Sequence, residues 1–220
     1  MTTNQNTDEL QQEQGAEAAT PGQPQLTEEE LQQMIAALYQ HGELALKSFY
    51  QDEYEVDGQV VNHPMYGPLF TYRLLDANKN PHSVGFFMNE LVHNFQKNED
   101  PALWMSSFFV DILRGERSRL LPPPPQNEDE AKYLFDQIIV PHCAKMCRAE
   151  FEDEPVHVDI DIHPDHGPVV EAGFPSIREG NNVVAMPFHY LLALHLLNRD
   201  TADPLITGLY KIREEHGLDA

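Results

Sequence analysis

Six side chains able to bind a metal or move a proton lie within ten residues of one another: His157, Asp159, Asp161, His163, Asp165 and His166. The first four alternate with Val158, Ile160 and Ile162, a period of two that places them on one face of a strand with the apolar residues on the other. Imidazole and carboxylate together suit Zn, Mn or Fe. Same-face neighbours sit about 6.5–7 Å apart along a strand, so two of them can share an ion and four cannot. A solvent-facing strand carries the same pattern without any metal, and no cofactor is expected on composition alone.

A second constellation is His142, Cys143 and Cys147, the only two cysteines of the chain with a histidine beside them. On a helix Cys143 and Cys147 face the same way, as two metal ligands would, and as two small core residues would. Residues 128–171 hold 12 acids against Lys132, Lys145 and Arg148, a field that disfavours a reactive thiolate. Two cysteines four apart on a helix also seldom meet disulfide geometry, so reduced thiols and a cytoplasmic location are expected.

Two motifs carry partial resemblances. Asp161-Ile162-His163-Pro164-Asp165-His166 resembles the H-x-H-x-D-H box of metallo-β-lactamase-type hydrolases, with Asp161 in place of the first histidine. Only 220 − 166 = 54 residues follow it, too few for the second half of that fold, and no site is carried over. Glu90-Leu91-Val92-His93 is similar to the Glu-x-x-His pair of ferritin-like bundles, which need two such pairs on facing helices. No phosphate loop, dinucleotide fingerprint, nucleophile elbow or H-E-x-x-H occurs.

The elements that must position these residues read as an α+β fold, mainly helical: amphipathic helices, one C-terminal antiparallel β-hairpin and a disordered N-terminal tail. Residues 1–26 carry Asp8, Glu9, Glu13 and Glu17 with no Lys or Arg and little to bury, which predicts a solvated acidic tail. A single domain is expected over 27–220, in two halves joined by the stiff Pro122–Pro125 connector. Thr27 with Glu30 opens a first helix as a capping box. Asp57-Gly58 reads as the turn of a short hairpin, 69–75 is undecided, and helices are expected at 83–96 and 101–113. A helix over 127–150 should kink or break at Pro141. The 156–162 strand turns at Pro164–Gly167 and returns through Val169, Val170 and Ala172, and two helices follow from Pro187 and Asp203. No repeat at a solenoid period is present.

Composition narrows the function classes. The 220-residue chain has 36 Asp plus Glu against 14 Lys plus Arg, a net charge of −22, yet 41% of it is hydrophobic, as in a folded globule. Such a surface repels phosphate backbones and anionic lipid, so neither nucleic acid nor membrane is an expected partner. The leading expectation is a non-catalytic acidic interaction protein, a regulator, adaptor or inhibitor docking on a basic protein surface, with nucleic-acid mimicry as its sharpest form. The alternative is a metal-dependent enzyme using the 157–166 strand-turn.

Overall fold

The computed structural model describes residues 27–63, 66–118, 120–177 and 182–217, and in it the chain builds one unit twice. The first copy runs α1 (Glu28–Tyr50), β1 (Glu55–His63), β2 (Gly67–Leu75), β3 (Pro81–Phe87), α2 (Met88–Gln96) and α3 (Pro101–Leu113). The second runs α4 (Glu128–Tyr133), through π-helical Leu134–Ile139 into α5 (Val140–Glu150), then β4 (His157–His163), β5 (Gly167–Gly173), β6 (Val183–Pro187), α6 (Phe188–Leu196) and α7 (Asp203–Glu215). Each copy holds a three-stranded antiparallel sheet in sequential order. The acidic tail expected at 1–26 lies outside the described residues.

The duplication is written in the sequence at a spacing of 100. Thr27 caps α1 through the N–H of Glu30, and Asn127 caps α4 through that of Glu130. His63-Pro64 and Gly67-Pro68 recur as His163-Pro164 and Gly167-Pro168. Helices α2 and α6 end in left-handed asparagines, Asn98 (φ 59°) and Asn198 (φ 58°). Past Asp200 the spacing becomes 103, so that Asp100-Pro101 at the head of α3 corresponds to Asp203-Pro204 at the head of α7.

The expected single C-terminal hairpin is therefore corrected to two three-stranded sheets, one per copy. Two readings misled, and one strand went unread. Asp57-Gly58 is no turn but mid-strand, pairing with Arg73 and Tyr72; glycine is needed there because a Cβ would stand 2.8 Å from the Tyr39 hydroxyl oxygen and 2.9 Å from the Tyr72 ring. Residues 83–87 belong to β3, whose far end is buried on both faces and so reads as a continuous apolar run rather than an alternation. Strand β6 is only five residues long and ends in Pro187.

Pro141 does not break its helix. The π-helical stretch just before it widens the backbone ladder, which a proline needs because it lacks an N–H and crowds the carbonyl four residues back.

Each copy closes a core between its helices and its sheet. In the first, Leu46, Phe70, Tyr72, Leu74, Phe86, Met105 and Phe109 are buried together. The second core, around Cys143, Cys147, Val170, Phe174, Leu191 and Leu209, also takes in Leu69 and Phe87 from the first copy, which fuses the two.

Candidate docking surfaces

Among the described residues strand β4 pairs with β5 alone, which leaves its other edge open. The expected buried apolar face is only partly formed: Val158 packs against the core, but Ile160 is 41% exposed and Ile162 68% exposed. The backbone N–H groups of Ile160 and Ile162 are each held by the carboxylate of the preceding residue, Asp159 and Asp161, at 2.8 Å. Every second N–H of a strand points to the same edge, so these are the donors of one edge, satisfied by side chains instead of by a neighbouring strand.

The other candidate ligands scatter along this strand-turn. His157 lies 3.6 Å from Asp159, the rings of His163 and His166 stack at 4.7 Å, and the Asp165 N–H donates to His163 Nδ1. Cys143 and Cys147 face the core on α5 and are fully buried. No group of three or more His, Cys, Asp or Glu is arranged to hold a metal ion among the described residues.

The cysteines occupy the places that Gly42 and Leu46 fill in α1, displaced by one residue through the π-helical stretch, and burial accounts for them. Desolvation pushes the Cys143 thiol up to about 11 and the Cys147 thiol up to about 12. Both are therefore expected to resist a thiol reagent at pH 8 in the native protein and to react once it is unfolded. Rapid native labelling would show that this helix face opens.

His142 turns the other way and meets Asp200 at 2.7 Å, as His41 meets Asp100 at 3.2 Å in the first copy. The hydrogen bond to Asp200 raises the imidazole above its usual range against the opposing effect of burial. Burial works to raise the Asp200 carboxyl, but hydrogen bonds from His142 and the Ala202 N–H outweigh it and leave the carboxyl low. A raised imidazole stabilises below its unfolded value of about 6.5 and loses that stabilisation as pH climbs through its folded value; a lowered carboxyl stabilises above about 3.9. The penalty of His142→Ala, about 1 kcal/mol for this half-exposed pair, is thus expected to be largest near pH 5–6 and to shrink toward pH 9. Urea melts of both proteins across that range test it.

The seam between the copies is closed on one side and open on the other. On the closed side α6 lies against the first sheet: the Gly85 N–H donates to the Leu197 carbonyl at 3.0 Å, the Asn198 amide donates to the carbonyls of Ser83 and Ser118 at 3.1 and 2.8 Å, and Tyr66 donates to the His189 carbonyl at 2.7 Å. Arg199 enters a site made by Phe86, Trp104 and Phe108, its guanidinium carbon 5.4, 4.9 and 4.2 Å from their ring centres, and pairs with Glu90 at 2.9 Å. On the open side α2 faces the second sheet across a cleft of about 710 Å³, with Glu90 and His93 on one wall and Val183 to Met186 on the other.

Sequence reasoning missed this seam. Its signal was the recurrence at 100 residues, which identifies the two corners after α2 and α6 as equivalents and makes every difference between them visible. The chain matches no protein-family model, no curated protein and no solved structure. No helix among the described residues is long and apolar enough to cross a membrane.

Proposed function

We propose that the protein is a non-catalytic acidic interaction module that docks on a basic partner by adding one of the partner's extended segments to the open edge of β4. The observation that supports this reading is the edge itself: exposed Ile160 and Ile162 on one face, Asp159 and Asp161 on the other, and edge N–H groups held only by side chains. In strand addition, main-chain hydrogen bonds give affinity and alternate side chains give selection. Carbonyls of the incoming strand take over the two N–H groups, and the released carboxylates meet its Lys or Arg side chains. The net charge of −22 speeds encounter with such a segment and deters acidic ones. The matching edge in the first copy is internally neutralised, since Asp57 and Glu55 pair with Arg73 and Lys79.

A labelled peptide of alternating Lys and Val tests the reading by fluorescence anisotropy. It should bind at low salt and weaken about tenfold or more between about 0.05 and 0.5 M NaCl, as screening shortens the reach of the carboxylates. Ile162→Pro removes an edge donor without touching the β4–β5 ladder, so it should abolish binding while the protein still folds. Asp159→Asn with Asp161→Asn should weaken binding and leave the melting temperature, with or without EDTA, unchanged or slightly higher. No saturable binding at low salt, or binding indifferent to Ile162→Pro, would sink the proposal.

A further inference from the structure

Between the two copies stand four consecutive prolines, Pro122 to Pro125. Each ring fixes φ, removes a donor and pushes the residue before it into extended backbone, which leaves the run one shape, a left-handed helix of three residues per turn. Residues 121–125 belong to no helix or strand, and among the described residues no hydrogen bond reaches the backbone of Pro122–Pro125. Exposure follows the period of three. Pro122 and Pro125 share a ridge and are half-buried, whereas Pro123 and Pro124, on the other two ridges, are exposed. One ridge thus rests on the protein and two are offered to solvent. Leu120, just ahead of the run, is 57% exposed, and Glu128 and Asp129, just after it, are exposed acids in the first turn of α4. The fold itself does not call for such a run. The copies are fused through Leu69 and Phe87 and need no stiff spacer to set their distance. Helix α4 takes its cap from Asn127, as α1 takes its own from Thr27 behind a Gly22-Gln23-Pro24-Gln25 stretch with a single proline.

We infer that Pro122–Pro125 is a docking segment for a partner domain whose groove is lined with aromatic side chains and flanked by Lys or Arg, an inference independent of the β4 edge. A proline helix is preformed, so it gives up little freedom on binding, and aromatic side chains pack on its exposed rings. Pro123-Pro124 is the pair that such a groove takes while the inner ridge stays on the protein. Beside that pair a groove of about 470 Å³ runs between the prolines and α4, with Asp129 and Tyr133 in its wall, and Tyr133 is 61% exposed. Glu130, in the same wall, accepts the Gln126 N–H at 2.7 Å and so serves the start of the helix. Glu128 and Asp129 are placed to meet the partner's cations. A proline helix presents similar ridges in either direction, and here the flanks tell the directions apart: apolar Leu120 and Leu121 before the run, acids after it.

The test uses the full chain against isolated SH3, WW and EVH1 domains, the groove types that take proline helices, read by surface plasmon resonance at low salt. At least one of them should bind saturably. Pro123→Ala with Pro124→Ala should weaken that binding about tenfold or more, because it removes both exposed rings and the stiffness they supply. The same pair of changes should leave the melting temperature nearly unchanged. Glu128→Gln with Asp129→Gln should weaken binding less and flatten its dependence on salt. Ile162→Pro should leave it intact, which separates this surface from the β4 edge. A synthetic peptide of residues 120–130 should compete for the same domain, and it decides the matter if the alanine variant does not fold. Binding by none of the three groove types, binding indifferent to the two alanines, or binding that the peptide does not displace overturns the inference.

Discussion

Arg199→Ala is expected to lower stability by about 3 kcal/mol, measured as a shift in the urea midpoint at constant slope. Truncation removes a nearly buried guanidinium from three aromatic faces and leaves Glu90, itself mostly enclosed, without its partner. Breaking a buried pair by deleting one member costs about 3–5 kcal/mol, and the lower end applies because Glu90 keeps some contact with water. Arg199→Met, which restores the volume on the rings, should recover part of the loss, and adding Glu90→Gln to it should recover more by discharging the orphaned acid. A penalty below about 1 kcal/mol for Arg199→Ala would mean that the closed side of the seam carries little of the fold.

Gly85→Val should be nearly as costly, about 2–3 kcal/mol, although valine favours strands over glycine. The new side chain enters space held by Leu197, and backing away breaks the Gly85 to Leu197 backbone hydrogen bond. The equivalent change across the seam, Ala185→Val, faces an open cleft and is expected to stay within about 0.5 kcal/mol. Adding Leu197→Ala to Gly85→Val should restore part of the loss, because the two changes share one volume. Equal penalties at 85 and 185 would contradict the difference between the two sides.

Local chemistry in the sequence located the elements with local signatures. The Thr27 capping box, the Asp100-Pro101 start of α3, the alternation of β4 and the apolar run of α6 were legible because each is fixed within a few residues. The strands that escaped were those whose character comes from distant partners: β3, whose far end lies between its own helices and α6 of the other copy, and Gly58, which reads as a turn until Tyr39 and Tyr72 are seen to crowd it. Among the candidate site residues, the sequence placed His157 to His166 together on a strand-turn, and they are there. That Cys143 and Cys147 face a core while His142 reaches Asp200 depends on a residue 58 positions further along the chain, just ahead of α7, and no local pattern records it. The seam required comparing residues 100 apart.

Joining two copies in one chain frees them from a rule that binds homodimers, in which every substitution appears on both subunits at once. Here Gly85 could remain while its twin became alanine, and Arg199 could be buried while its twin became a glutamate in solvent. One side of the molecule is thereby committed to holding the pair together, at an effective concentration that dilution does not change. The opposite side is left free to drift toward whatever it touches.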